Sequence, residues 1–271
     1  MTTKNPFSGS ERELLAMTRE LDELHHDLGM PSMWAGVESV IDSAHETATS
    51  PRAASRRTFL LGAGAASVGA AAVLGAGLPG VAGALTRPRS GTTPADPRAF
   101  PPAGLRGDLA VAAVAASLEN LAVFAYSAGL SAATAGKLGP VPPAVATFAT
   151  TARAQHTQHA DAWNAVLRSH DKARVTVTNP TLTPVVQSDF ATVTDVTGLA
   201  NLALTLEIIA AETYQKETAE LMSTEAIALS ASIQPVEMQH VAILYYVLGE
   251  YPGAQSAAGV PLAFSSTAKA A

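Results

Sequence analysis

Glu119 and Glu207 are acidic residues set in Ala- and Leu-rich runs that otherwise have the composition of buried helices. Each is followed by a tyrosine seven residues later, Tyr126 and Tyr214 respectively. Seven residues is about two helical turns, so each Glu shares a helix face with its Tyr. Burying an ionised carboxylate is costly unless it is paired, protonated or bound to a cation. Both carboxylates therefore need a partner.

Two further segments offer such partners as pairs of side chains three residues apart. One pair is Glu237 with His240, and the other is His156 with His159. Residues at this spacing lie one above the other on a helix, so each pair can direct two donors at a common centre. The chain contains no Cys, so any metal ion must be held by imidazole and carboxylate groups.

The apolar periodicity predicts four long helices that position these residues, at 108–135, 143–170, 192–222 and 224–250. The segment 171–189 is rich in Thr, Asn and Pro and is not expected to continue a helix. The connections are therefore short, long and short. This pattern predicts an all-α four-helix bundle with one long crossover connection between helices 2 and 3.

The two halves of this region carry matching sets of functional groups. Glu119 and Tyr126 in the first half correspond to Glu207 and Tyr214 in the second. The pair on the second helix corresponds in the same way to the pair on the fourth. This repetition predicts two related helical hairpins that face each other.

A Glu from each of two helices and a Glu-x-x-His motif from each of the other two form the ligand set of ferritin-like di-metal bundles. Residues 108–250 resemble that superfamily. The resemblance implies metal ligation by Glu119, His159, Glu207, Glu237 and His240. It further implies that Tyr126 and Tyr214 act in catalysis as hydrogen-bond or electron-transfer partners. The implied cofactor is a di-iron centre, with manganese, zinc or copper as alternatives.

His156 departs from the family pattern, because it stands where the second helix should offer a Glu three residues before His159. The neighbouring amides of Gln155 and Gln158 are poor substitutes for a bridging carboxylate. With His156 included, the donor set becomes three Glu and three His. Imidazole accepts zinc, copper, iron and nickel, so the metal is less narrowly specified. An asymmetric di-metal site, a single-metal site and a metal-free bundle all remain open.

Residues 1–50 are predicted to form a helical leader. Ser10 with Glu13 forms a capping box, and an apolar stripe follows that should stop at Gly29 and Pro31. The stripe consists of Leu14, Met17, Leu21, Leu24 and Leu28. It is too short to be stable alone. We expect it either to pack on a second helix near 33–47, as a hairpin, or to bind a partner.

Residues 51–84 resemble a twin-arginine export signal. Ser55, Arg56, Arg57, Phe59 and Leu60 stand where such signals have these residues, ahead of a Gly- and Ala-rich apolar stretch. The resemblance implies export to the periplasm or cell envelope, with the twin-arginine translocase as a partner.

The fifty residues in front of this signal leave three readings open. The signal has a long leader and is cleaved after Ala84, or translation begins at Met30 or Met33, or residues 58–82 stay as a membrane anchor. About 20 apolar residues are enough to span a bilayer. Beyond the signal we expect a Pro-rich linker at 85–107, the bundle at 108–252 and a flexible tail at 253–271.

The charge balance excludes one class of partner. The 271 residues include 17 Lys and Arg against 23 Asp and Glu, a net charge of −6. Without a basic face, nucleic acid is not an expected ligand. Metal ions are the expected ligands, and a homodimer is left open. Two functions remain: an oxidase or ferroxidase in which paired metals react with oxygen or peroxide, and a structural or stress-related envelope protein with a static metal or none.

Three single-residue expectations complete the analysis. Glu212 and Glu217 on the third helix are expected on a solvated face or in a buried pair. Pro235, two residues before Glu237, predicts a kink or a helix start, because proline lacks the backbone N–H that a helix interior needs.

Overall fold

The computed structural model of the chain describes residues 10–49, 100–102 and 104–250, without the side chains of 43–49. The export-signal segment, most of the Pro-rich linker and the C-terminal tail lie outside these residues, so what is predicted for them stays a prediction. Within the described residues the α-helices are α1 (Glu11–Leu24), α2 (Met30–Thr49), α3 (Asp108–Thr134), α4 (Pro143–Ser169), α5 (Thr183–Phe190), α6 (Val196–Glu220) and α7 (Thr224–Leu248). None of the described residues lies in a β-strand.

The predicted all-α four-helix bundle is confirmed by α3, α4, α6 and α7, which begin and end within a few residues of their predicted bounds. α3 packs along α4 and α6 packs along α7, with the long crossover between the two pairs. Local signals start and stop these helices. The side chains of Asp195 and Ser223 accept hydrogen bonds from the first turns of α6 and α7, and Gly249 ends α7 in the left-handed conformation at φ 73°.

The crossover is held against the first two bundle helices by asparagine side chains. Asn164 of α4 accepts from the backbone N–H of Val175 at 2.7 Å and donates to its carbonyl oxygen at 3.1 Å. Asn120 of α3 donates to the same carbonyl oxygen at 3.0 Å. The crossover also contains α5, where the sequence predicted no helix. Pro184 in the first turn of α5 suits a helix start, because its missing N–H has no partner to lose there.

Pro235 does not mark the start of a helix, which was one of the two alternatives expected for it. α7 begins at Thr224 and runs through Pro235 without interruption. The proline removes one backbone hydrogen bond about half a turn before Glu237.

α3 and α6 are long and apolar enough to cross a membrane by length and composition alone. Buried helices of a folded core pass the same test, and 44% and 56% of the most apolar windows of the two helices are buried within the bundle. About half of each window is therefore used in packing within the bundle. The apolar stretch near residues 58–82 lies outside the described residues, so this finding does not extend to it.

The N-terminal helices pack on the bundle, and the predicted hairpin with a break at Gly29 and Pro31 is wrong. A π-helical segment, His25–Gly29, joins α1 directly to α2, which itself contains Pro31 in its first turn. α1 and α2 both pack on α4 and α7. The close approach of α2 depends on Gly36, where a Cβ atom would lie 3.2 Å from the backbone of Leu229.

The buried face of α1 differs from the predicted stripe. Leu14 and Leu21 are buried as expected, but the other buried positions are Thr18 and His25. Leu28 is 63% exposed. A stripe at spacings of three and four fits several neighbouring faces of one helix, and the bundle surface selects the face that carries His25.

Leu14→Ala tests the docking of α1. The Leu14 side chain is fully buried against the bundle, and Leu-to-Ala changes at such positions cost about 2–5 kcal/mol. We expect the backbone amides of α1 to exchange with deuterated solvent at least about tenfold faster in the variant, as measured by hydrogen-exchange mass spectrometry. Leu15→Ala is the matched control, since Leu15 is 43% exposed. Equal protection of α1 in both variants would contradict the packing described.

Candidate metal centre

Six acidic and imidazole side chains from the four bundle helices meet in the interior of the bundle. α3 and α6 contribute one Glu each, α4 contributes two His, and α7 contributes one of each type. Each of the six is at most 3% exposed. They are Glu119, His156, His159, Glu207, Glu237 and His240. The structure thus brings together every residue that the sequence placed among the candidate ligands.

The six residues form two overlapping groups of donors. In each group of four, one ligand atom from every residue lies within 4.8 Å of the ligand atoms of the other three. Glu119 and His159 belong to the first group alone, and Glu207 and His240 belong to the second alone. His156 and Glu237 belong to both. The two groups of possible ligands are therefore adjacent and have an imidazole and a carboxylate in common.

The ring of His156 lies between the two carboxylates that come from α3 and α6. Its Nδ1 is 2.8 Å from Oε2 of Glu119, and its Nε2 is 3.1 Å from Oε1 of Glu207. Burial by itself lowers the pKa of His156, but the charges of Glu237 and Glu207 outweigh burial and raise it well above its ordinary value. In the metal-free protein His156 is thus an imidazolium that donates a hydrogen bond to each carboxylate.

The pKa values of the other two imidazoles are raised as well. At His159 burial acts against the charge, yet Glu119 outweighs it and raises the pKa to about 9. The pKa of His240 is raised too, against burial, chiefly by Glu207. Conversely, the pKa of Glu119 falls to about 2, because the charge of His159 and the hydrogen bond from His156 outweigh burial. The raised pKa values of the histidines and the lowered pKa values of Glu119 and Glu207 have one cause, the opposite charges that face each other at this centre.

Each tyrosine bonds the glutamate of the opposite helix. Tyr126 of α3 donates to Oε1 of Glu207 at 2.5 Å, and Tyr214 of α6 donates to Oε1 of Glu119. Trp163 in turn donates to the hydroxyl oxygen of Tyr214 at 2.9 Å. Burial and the facing carboxylates raise the pKa of both tyrosines well above the ordinary value, so both stay protonated. The two crossed bonds fit the predicted correspondence between the two halves of the bundle.

Several atoms of the centre that could ligate a metal ion have no hydrogen-bond partner within the described part of the chain. They are both oxygens of Glu237 and both ring nitrogens of His159. Nδ1 of His159 lies 3.0 Å from Oε1 of Glu237, but the angles there do not make a hydrogen bond. Unpaired buried polar atoms cost free energy that a bound cation recovers. Oxygen and imidazole donors suit iron, manganese or zinc, so the residues fit a metal ion.

The sequence did not indicate that α1 would reach this centre. Nε2 of His240 is 2.8 Å from Oε1 of Gln155, whose amide donates to Asp22 of α1 at 3.3 Å. Gln158 accepts a 2.7 Å hydrogen bond from Nε2 of His25, also on the N-terminal helical segment. Both glutamines therefore link α4 to residues more than a hundred positions earlier. No local pattern could have predicted such contacts.

His25 lies edge-on against a candidate ligand. Its ring centroid is 5.3 Å from that of His159, with 71° between the ring planes. Burial, together with the charge of His159, lowers the pKa of His25 to about 4, so this ring is neutral. Gly29 allows the π-helical turn to close on it, since a Cβ at Gly29 would lie 3.2 Å from Nδ1 of His25.

Two other glutamates of α6 lie outside both donor groups. Glu212 and Glu217 are each 6% exposed, so neither is on a solvated face. Burial raises the pKa of Glu217 to about 8, helped by the nearby charge of Glu220, and its carboxyl is neutral at pH 7. Sequence periodicity could not distinguish these two glutamates from the candidate ligand Glu207, because it does not give the position of α7.

The comparison with protein families gives one match. The family model for the ferritin-like domain matches residues 107–250, which is more than half of the chain. The chain belongs to the ferritin-like domain family. Neither the curated proteins nor the solved structures gave a match. Family membership confirms the resemblance seen in the sequence, and the buried His and Glu cluster makes this ferritin-like domain compatible with metal binding.

The ionisation of this ferritin-like centre predicts how the stability of the metal-free protein depends on pH. Histidines with raised pKa values stabilise the fold fully below their ordinary pKa of 6.5, and this contribution is lost as pH rises toward about 9. Glu119 contributes above pH 4.5, and its contribution is lost as pH falls toward about 2. We expect the melting temperature of the chelator-treated protein to fall by roughly 5 °C or more between pH 6 and pH 9.

Differential scanning calorimetry of the chelator-treated chain across this range measures the effect. His159→Gln should reduce the slope between pH 6.5 and 9, because the group that titrates there is removed. A melting temperature that stays constant or rises between pH 6 and pH 9 would show that the imidazoles are neutral in the folded protein.

Proposed function

We propose that this ferritin-like domain is a metal-binding protein whose centre holds two adjacent cations, iron being the best match, for redox chemistry of the oxidase or ferroxidase type. The observation that carries the proposal is the pair of donor groups that share His156 and Glu237. Isolated acidic clusters on protein surfaces have no such shared arrangement inside an apolar core.

The residues divide between the two cations as their positions indicate. Glu119 and His159 would hold one cation, and Glu207 and His240 would hold the other, with the shared pair between them. Iron bound there would supply one-electron redox chemistry toward dioxygen or peroxide. Tyr126 and Tyr214 each donate a hydrogen bond to a carboxylate oxygen and keep that oxygen oriented.

Binding of cations has to displace protons from this centre. Imidazole ligates a metal ion only after losing the proton on the ligating nitrogen, so metal affinity rises with pH. The proposed function therefore predicts release of protons from the histidines when metal binds, and weak loading below about pH 6.5.

A second candidate is a structural envelope bundle that binds no metal, and one observation favours it. His156 lies between Glu119 and Glu207 within hydrogen-bond distance of both, so two of the three carboxylates already have an imidazole partner when no metal is bound. If a carboxylate stood in place of His156, as in the family pattern, the cluster would need two additional positive charges to become neutral. The measured metal content decides between the candidates.

The metal proposal is tested by elemental analysis of the protein purified without a His tag or chelator. We expect close to two equivalents of iron or manganese per chain, and a loss of at least about tenfold in metal content for Glu119→Gln combined with Glu207→Gln. Glu217→Gln is the matched control, since this buried glutamate of α6 is outside both donor groups and already neutral at pH 7.

Each outcome has a distinct meaning. Full metal content in the double variant would remove Glu119 and Glu207 from the ligand set. One equivalent of zinc or copper would make the site mononuclear. Absence of metal from the wild-type protein would favour the structural candidate. Redox chemistry additionally requires an oxygen-dependent near-ultraviolet absorption band after ferrous iron is added, and a silent spectrum would exclude it.

We further propose that Ser55 to Leu60 direct export of the bundle through the twin-arginine translocase. This pathway carries folded proteins, which suits a domain that is loaded with metal in the cytoplasm. The docking of α1 and α2 on the bundle adds a consequence. A twin-arginine signal keeps its N-terminal side in the cytoplasm, so export would require α1 and α2 to separate from the bundle, whether or not the chain is cleaved after Ala84.

Replacing Arg56 and Arg57 with Lys tests the export proposal. We expect the double variant to accumulate uncleaved in the cytoplasmic fraction, because the paired arginines are what the translocase recognises. Cell fractionation with antibodies to the bundle and to residues 10–49 measures both location and cleavage. Arg52→Lys is the control outside the motif. Unchanged distribution of the double variant would mean that this segment is not a twin-arginine signal.

A further inference from the structure

A cavity of about 100 Å³ lies between α3, α4 and α6, with part of the crossover also lining it. Its described lining includes no residue of α1 or α2, which cover α4 and α7. We call this space the apolar cavity. It is bounded on two sides by Leu121, Ala125 and Gly129 of α3 and by Leu199, Ala203 and Leu206 of α6.

The chemistry of the wall is almost uniform. Among the described lining residues every side chain is apolar except Tyr126 and Glu207. These two are joined by the 2.5 Å hydrogen bond, and Glu207 is a donor of the candidate metal centre. The metal centre is thus one part of the cavity wall. A cavity lined this way stays dry and binds apolar molecules in preference to water.

The cavity is long and narrow. Its lining extends from Leu118 to Ala133 on α3 and from Val196 to Ala210 on α6. At 1.5 Å per residue these stretches are about 22 Å and 21 Å long. A water-sized sphere occupies about 10–15 Å³ of such volume, so the cavity has room for roughly seven to ten spheres. At Gly129 α3 and α6 approach closely, since a Cβ there would lie 3.0 Å from the side chain of Leu199.

We propose that the apolar cavity binds an unbranched, uncharged aliphatic chain of about eight to ten carbon atoms, which lies along α3 and α6 beside Tyr126 and Glu207. Length and narrowness exclude branched and cyclic molecules of the same carbon number. The carboxylate of Glu207 disfavours an anionic head group at the same wall. That such a chain is a substrate rests on the proposed function, but its binding needs no metal.

Calorimetric titration of 1-decanol into the chelator-treated full chain tests the proposal. We expect one molecule bound per chain, and cyclodecanol, with the same number of carbons, to bind at least about tenfold more weakly. Ala203→Phe puts a large side chain into the cavity and should weaken 1-decanol binding at least about tenfold. Ala219→Phe on the same helix is the matched control, since Ala219 is exposed and outside the described lining.

A second variant replaces Ala203→Phe if that variant does not fold. If Ala203→Phe loses the helical circular-dichroism spectrum of the wild type, Ala125→Leu fills the same cavity with a smaller side chain and should weaken binding in the same direction. Equal 1-decanol affinity in the folded cavity variant and the wild type would overturn the proposal, and so would equal affinity for cyclodecanol. A third result would also overturn it. If the wild-type protein is a dimer that 1-decanol does not affect and the Ala203→Phe variant is a monomer, the occupant of the cavity is a second copy of the chain.

The metal content of Ala203→Phe separates this proposal from the proposed function. Lost 1-decanol binding with unchanged metal supports both. Normal 1-decanol binding by a wild-type protein that takes up no metal supports the aliphatic ligand and contradicts the metal centre.

Discussion

The burial of six ionisable side chains inside an apolar bundle is the constraint on which the rest of the structure depends. An isolated buried charge is far too costly to persist, so every group at the centre must face an opposite charge, a hydrogen-bond donor or a cation. Each helix therefore has to present its donors at one height and on one face. The packing of α3 on α4 and of α6 on α7 meets that requirement, and the crossed bonds from Tyr126 and Tyr214 connect the two pairs.

His156 changes the balance between protons and metal ions at this centre. A carboxylate at that position would leave an excess of negative charge that only cations could neutralise. An imidazole instead provides a positive charge to Glu119 and Glu207 when no metal is present. Binding of a metal ion would then exchange protons of the histidines for the cation.

The two faces of the bundle are used differently. The N-terminal helices cover α4 and α7, where Asp22 and His25 reach residues that neighbour the candidate ligands. The opposite face, along α3 and α6, contains the apolar cavity and is closed in part by the crossover. Contact with the metal centre is therefore polar and tightly packed on one side and apolar on the other.

The amino-acid sequence alone was enough to predict the four bundle helices, the long crossover and the six candidate ligands. Helical periodicity is a local property, and a Glu or His inside an Ala- and Leu-rich run is conspicuous because burying it is expensive. Only the tertiary structure decided that each tyrosine bonds the opposite glutamate, that His156 lies between two carboxylates, and that His25 packs on His159. Those relations depend on the distances between helix axes and on which face of α1 meets the bundle. Neither quantity is encoded within a few residues of chain, so no local pattern reveals it.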